Sequence, residues 1–342
     1  MVAMLKVGVI GLGRMGRLYA EALATRISGA ELYAVASLIE QERTQVADQF
    51  TIPHVCEEAG EVLALAGLDA VVIATPTSTH HELVIAAARA GKAIFCEKPL
   101  ALTLEQTHEA LAAVERAAVP LQVGFMRRFD TAYQKAHELI AAGQIGEPVT
   151  FKAISRDPFC PPCNYLDPAQ SGGLIMDMAI HDFDLARWLM GSEVTQVSAE
   201  GTLLVCKDLA AVGDIDNALI NLRFASGALG NVEVSRNAFY GYDIRTEVLG
   251  SEGALMIGSQ QHTPVVLLTR AGAQRDTMPY LIERFGEAYR AQLQHFVACL
   301  SNGTAPAVSG AEALAACEIS VAATSASQSG QRVKLVDLRT WK

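Results

Sequence analysis

Charge is scarce in this sequence, and positive charge scarcest. Asp, Glu, Lys and Arg make up 19% of its 342 residues, while hydrophobic residues make up 51%. The charged share is below the quarter or so of an ordinary globular chain, which argues against long disordered stretches and leaves ample material for a core. Lys and Arg number 27 against 37 Asp and Glu, for a formal net charge of -10. That sign argues against nucleic acid or an anionic membrane as a general partner, though a local Arg cluster can still serve one small substrate. No apolar run approaches the ~20 residues of a transmembrane helix. The first residues enter a strand pattern without a basic n-region or cleavage site. The seven cysteines are odd in number and scattered. The expectation is a reducing cytoplasm with mostly free thiols. Cys160-Pro161-Pro162-Cys163 has no second pair at zinc-ribbon spacing, and its prolines suit a loop, so no metal site is expected.

What is present is a regular alternation. Strand patterns at 5–10, 31–36, 69–74, 93–96 and 120–125 are separated by helical patterns at 15–25, 81–90 and 103–117. The run Asp69-Ala70-Val71-Val72-Ile73-Ala74 is the near-continuous apolar kind that is buried on both faces of a parallel sheet. Thr103 with Gln106 fits a helix-opening cap. Strands alternating with helices imply a doubly wound α/β domain with right-handed crossovers. Beyond about residue 125 the pattern changes. A helix at 131–142 and a strand at 148–156 precede an apolar helix at 175–190. Strand runs in succession follow at 195–205, 218–224, 228–235, 244–249 and 265–269, and two helices close the chain. Short Gly-containing connections suggest a mostly antiparallel sheet. The expected division is residues 1–124 and 125–342.

Gly11-Leu12-Gly13-Arg14-Met15-Gly16 is G-x-G-x-x-G between a strand and a helix. The first Gly permits the turn, the second lets backbone approach a pyrophosphate, and the third lets helix and strand pack closely. The helix N-terminus then offers free N–H groups to the phosphates. This context makes the domain a dinucleotide site. At the end of the second strand, where an acid would hold the ribose 2′-OH, stands Ser37, with Arg43 further on. NAD and NADP both remain open, and Ser37 with Arg43 tilts the reading toward NADP. Thr75, Pro76, Thr77 and His80 follow a buried strand, where ligands sit in open α/β sheets; the hydroxyls there equally serve as helix caps. Glu97 and Lys98 follow the next strand in the same way, and Lys98 is read as a proton-transfer or substrate-orienting group. Asp177 and His181 are four apart on an apolar helix. They are either a satisfied core pair or an imidazole oriented by a carboxylate to act as general base.

The glycine loop, Ala74-Thr75-Pro76, Glu97-Lys98-Pro99 and Asp177-x-x-x-His181 together resemble the glucose–fructose oxidoreductase, inositol dehydrogenase and rhizopine catabolism (Gfo/Idh/MocA) family, over essentially the whole chain. The stretches 124–130, 155–158 and 240–243 look most like its inositol dehydrogenase branch. The resemblance implies a Rossmann domain followed by an α/β domain with a large, mostly antiparallel open sheet, which often builds a dimer or tetramer. It implies Lys98, Asp177 and His181 as catalytic set. Arg127, Asp157, Tyr240 and Tyr242 are then candidates for gripping the other hydroxyls of a cyclitol such as myo- or scyllo-inositol. The alternatives are a dehydrogenase or reductase of an aldose or keto-sugar and, in a different class, a nucleotide-binding sensor without catalysis. Two departures stand out: Ser37 at the ribose position, and Ser and Asp in Ser155-Arg156-Asp157.

Overall fold

A computed structural model describes residues 4–162, 167–258 and 261–338. The chain forms two compact units, Met1–Met126 with Glu287–Leu314, and Arg127–Gly286 with Ala315–Lys342. In the first, β1 (Leu5–Ile10), β2 (Ala30–Ala36), β3 (His54–Cys56), β4 (Ala70–Ile73), β5 (Ala93–Glu97) and β6 (Leu121–Gly124) form a parallel sheet in the order β3-β2-β1-β4-β5-β6. All four residues of β4 are fully buried, which is why that run carries no polar alternation. The strand order reverses between β1 and β4. Ligands of open α/β sheets bind at such a switch point, outside the carboxyl ends of the strands.

The contiguous division read from the sequence differs from this at one place. Glu287–Leu314 belongs to the first unit because its backbone and side chains complete that unit's bonding. Gln122 Nε2 donates to the carbonyl of Gln292 (2.8 Å), Val123 N to that of Val308 (3.1 Å), and Ser28 N to Gln294 Oε1 (2.8 Å).

The second unit is built on β7 (Pro148–Arg156), β8 (Val194–Thr202), β9 (Asn217–Phe224), β10 (Leu229–Ser235), β11 (Asp243–Gly250), β12 (Ala254–Ile257) and β15 (Val333–Lys334), in the order β12-β11-β7-β10-β9-β8-β15. Every neighbouring pair is antiparallel except β7 and β10, so the sheet is mixed. A separate hairpin pairs β13 (Val266–Thr269) with β14 (Gly272–Arg275). The apolar helix expected at 175–190 is two elements. A π turn at Ile175–Ala179 runs into the α-helix Ile180–Met190. π turns inside helices frequently sit at functional sites.

The expectation of free thiols fails at one pair. Cys160 and Cys206 form a disulfide with Cα atoms 5.6 Å apart, inside the range such bonds need. The two segments, 46 residues apart in sequence, meet over the Arg236 backbone, whose carbonyl oxygen lies 3.8 and 3.6 Å from the two sulfurs. Cys163 lies outside the described residues. Among the described residues no helix is long and apolar enough to cross a membrane, and no group of His, Cys, Asp and Glu is arranged to hold a metal ion.

Candidate active site

The glycine loop is explained residue by residue by what a side chain would meet. At Gly11, with φ +89°, a Cβ would strike the Ala74 carbonyl oxygen at 2.7 Å; at Gly16 it would lie 1.8 Å from the Gly11 oxygen. These two glycines are required by the fold itself. Gly13 is different, because a Cβ there would meet nothing within 4 Å. Its bareness serves whatever approaches from outside. It is also the N-cap of the helix Arg14–Thr25 and offers no side-chain cap bond. An open, uncapped helix N-terminus at the switch point fits a pyrophosphate. Gly11 N donates to Ala36 O (2.8 Å) and Ala74 N to Ile10 O (2.9 Å), so this loop is stitched to the ends of both β2 and β4. Thr75 belongs to the same rim, and its hydroxyl accepts from that of Thr79 at 2.7 Å.

At the end of β2, Ser37 is not left bare. Its hydroxyl donates to Glu42 Oε2 (2.6 Å) and accepts from Ile39 N (3.2 Å). Arg43 donates to the Ser37 carbonyl and lies 3.8 Å from Glu57. The residue that sequence offered for a 2′-phosphate is therefore occupied with its own unit, and a carboxylate stands at Ser37 that the sequence reading did not assign.

Two expected cofactor contacts are internal instead. His80 is 1% exposed, with Nδ1 2.7 Å from the Pro99 oxygen and Nε2 3.0 Å from the Thr75 oxygen. It clamps the loop after β4 to the segment after Lys98. Glu97 is also buried; it accepts from the Tyr19 hydroxyl, and its Oε2 from Lys98 N (3.2 Å). Gln292 Nε2 completes the cluster with a 2.6 Å bond to Tyr19. This network beneath the backbone of Lys98 fixes where that residue leaves the sheet. Burial pushes the Glu97 carboxyl above its ordinary range, with Tyr19 and Lys98 opposing. A raised acid contributes stability at low pH that is lost as pH rises through its folded value. The stability of Glu97→Gln relative to the parent is therefore expected to improve as pH rises above the ordinary glutamate range, read as the difference in Tm. A flat difference would show that Glu97 folds as freely ionised as an exposed carboxylate.

In the second unit, Asp177 lies on the π turn and His181, 8% exposed, in the first turn of the following helix. Gly172 and Gly173, both at positive φ, turn the chain so that Leu174 N donates to both Asp214 oxygens (3.1 Å each). A Cβ at Gly173 would lie 2.9 Å from that carboxylate. Asp157 leaves β7 beside the end of β10, its N–H on the Ser235 carbonyl (2.8 Å) and its carbonyl accepting from Ala238 N (2.9 Å).

The remaining expected hydroxyl-gripping residues are engaged elsewhere. Arg127 is 3% exposed and donates to Asp182 Oδ1 (2.5 Å) and to Ser155 Oγ (3.1 Å), while Ser155 Oγ donates to Asp182 Oδ2 (2.7 Å). Burial works most strongly against the charge on Arg127, and Asp182 together with its other neighbours more than offsets it. This is an internal ion pair, not a substrate clamp. Tyr242 is core: its ring meets Tyr280 and Phe285 edge-on, and burial raises its hydroxyl far above the usual range. Tyr240 is exposed, yet its hydroxyl donates to Asp243 (2.7 Å) and accepts from Arg156 (2.8 Å). Tyr240 lies not on a strand but in a turn with Phe239, closed by Gly241 N on the Ala238 carbonyl (2.8 Å) before β11 begins.

A switch-point glycine loop, a lysine directly after a parallel strand and an Asp/His pair on an apolar helix define the class, an NAD-binding oxidoreductase. Residues 5–125 match the oxidoreductase family's NAD-binding Rossmann fold, and residues 137–335 match its C-terminal alpha/beta domain. The chain belongs to the Gfo/Idh/MocA oxidoreductase family. It is 44% identical to a scyllo-inositol 2-dehydrogenase (NAD(+)) of Bacillus subtilis over 96% of this chain and 95% of that one. It is 39% identical to a myo-inositol 2-dehydrogenase of Thermotoga maritima over 98% and 99% of the two chains. The crystal structure of scyllo-inositol dehydrogenase from Lactobacillus casei, with bound NAD(H) and scyllo-inositol, superposes with a TM-score of 0.92 at 30% identity, over 97% of this chain and 99% of that one.

Proposed function

We propose that the chain oxidises a ring hydroxyl of a cyclitol, scyllo- or myo-inositol, to the ketone, with NAD as hydride acceptor. The observation that carries the reading is Asp177 and His181 set on one π-to-α junction in a chain 44% identical to a named scyllo-inositol dehydrogenase. Bound nicotinamide would supply the redox chemistry by taking the hydride. His181 accepts the hydroxyl proton, and Asp177 orients it and favours its protonated form. Lys98 favours the negative charge that develops on the oxygen. Of the gripping residues named from sequence, Asp157 remains suited to bind a neighbouring hydroxyl.

NAD is preferred over NADP on this reading, against the tilt given by Ser37 and Arg43 alone. The Glu42 carboxylate on Ser37 is placed to accept from a ribose hydroxyl and to repel a 2′-phosphate, and Arg43 is tied to Ser37 O and Glu57. We also infer a homo-oligomer, because the outer face of the second unit's sheet exposes Leu219, Leu229, Leu249 and Met256. The test is absorbance of reduced nicotinamide with inositols, aldoses and keto-sugars, each with both cofactors. Turnover of an inositol with NAD is the expected result, and Glu42→Ala should narrow the NAD-over-NADP ratio of dissociation constants by about tenfold, the scale of one charge pair near a surface. Turnover of sugars alone overturns the substrate; cofactor binding with no turnover points to a sensor.

A further inference from the structure

Arg236 is the largest side chain buried completely, at 1% exposure. A guanidinium cannot shed its charge in a protein, so one held away from water needs an anion. The anion here is Asp177: Arg236 Nη2 lies 3.2 Å from its Oδ2, and Asp177 itself is 26% exposed. The charge is thus supplied from inside the unit to a carboxylate that reaches its surface. Nε of Arg236 is buried without a hydrogen-bond partner among the described residues. Asp214 is a second carboxylate within its field, and Arg236 opposes the burial that raises the Asp214 carboxyl. Asp214 in turn holds Leu174 N at the start of the π turn.

The backbone places this guanidinium as firmly. Arg236 follows β10 directly, and its N–H donates to the Asp216 carbonyl (2.9 Å). The Asp216 carboxylate accepts from Leu204, Val205 and Cys206 N, which fixes the segment that the disulfide joins to Cys160. Beside it, Asp157 N is bonded to the Ser235 carbonyl. Arg236 therefore stands at one fixed point under the π turn.

We propose that Arg236 is a positioning residue for the dehydrogenase reaction: it fixes the charge and the plane of the Asp177 carboxylate, through which it sets the orientation of His181. The inference rests on the reading of Asp177 and His181 as catalytic. The role differs from bulk stability in one measurable respect: its effect on turnover depends on Asp177.

The test is a kinetic cycle of Arg236→Lys, Asp177→Asn and the double variant, with the inositol that the parent enzyme oxidises best. A lysine keeps the charge and most of the volume but loses the planar fork. Arg236→Lys should lower kcat by about 10–100-fold, the scale seen when outer partners of working groups are removed. KM for the inositol and the dissociation constant for NADH should stay within about twofold, since the loss is one of orientation during reaction. In the Asp177→Asn background the same change should cost less than about threefold, because the group it positions is already altered. Wild-type kcat in Arg236→Lys, or an undiminished loss in the Asp177→Asn background, overturns the proposal. Should Arg236→Lys not fold, Arg236→Gln enters the same cycle and is judged by the same criterion. His181→Ala assayed alongside separates the two readings: if it turns over normally, the catalytic assignment has failed, and if it alone is crippled, only the role of Arg236 has.

Discussion

His181→Ala is expected to lower kcat for inositol oxidation by about 10²–10⁴-fold, the usual worth of a positioned general base. Lys98→Met should produce a loss of similar order, because it removes the charge that favours the developing oxyanion. Both should leave the dissociation constant for NADH within about twofold, measured by fluorescence titration. On the proposed reading the cofactor's phosphates sit on the bare helix N-terminus at Gly13, which neither substitution touches. Parallel losses of binding and turnover would sink the assigned roles, because they would mean that the site had collapsed.

The second large effect is on stability. Asp182 is fully buried and holds Arg127, and the pair shares Ser155 Oγ. Asp182→Ala leaves a guanidinium that cannot deprotonate without its anion in the interior. The expected cost is about 3–5 kcal/mol, read as a fall in the urea midpoint of the second unit. The double variant Arg127→Met, Asp182→Leu should recover most of that loss, because an apolar pair of similar volume substitutes well for a buried ion pair. A single Asp182→Ala without measurable cost would mean that water reaches Arg127.

This pair also shows why sequence reading misplaced Arg127. An arginine next to a domain boundary looks like a ligand clamp, and nothing local reveals that Asp182, 55 residues on, neutralises it. The parallel sheet was legible because β4 and residues 93–96 of β5 are unbroken apolar runs, and the glycine loop stands between strand and helix. β3, β12, β14 and β15 have four residues or fewer, too short to show a period. The parallel pairing of β7 with β10 was hidden as well, since pairing is a long-range choice that alternation alone does not encode. Gly11, Gly13 and Gly16 lie between a strand and a helix, and Lys98 directly after a strand, as local spacing put them, while Asp177 and His181 fall on two elements where one helix was expected. Arg236 was missed although its signal is one that also singled out Lys98: a basic residue directly after a strand. Glu42 was missed because it reaches Ser37 from the next helix, five positions past the place where an acid is sought.

The return of Glu287–Leu314 to the first unit bears on how the chain is made. Tyr19 and Gln292, bonded through their side chains, are separated by 273 positions, and Gln122 and Gln292 by 170. During synthesis from the N-terminus, the glycine loop and all six parallel strands emerge long before the helix that finishes their core. The first unit must therefore wait, incompletely closed, while Arg127–Gly286 of the second is translated, and the second is completed only by Ala315–Lys342 after it, so the two mature in interlocked order and not one after the other.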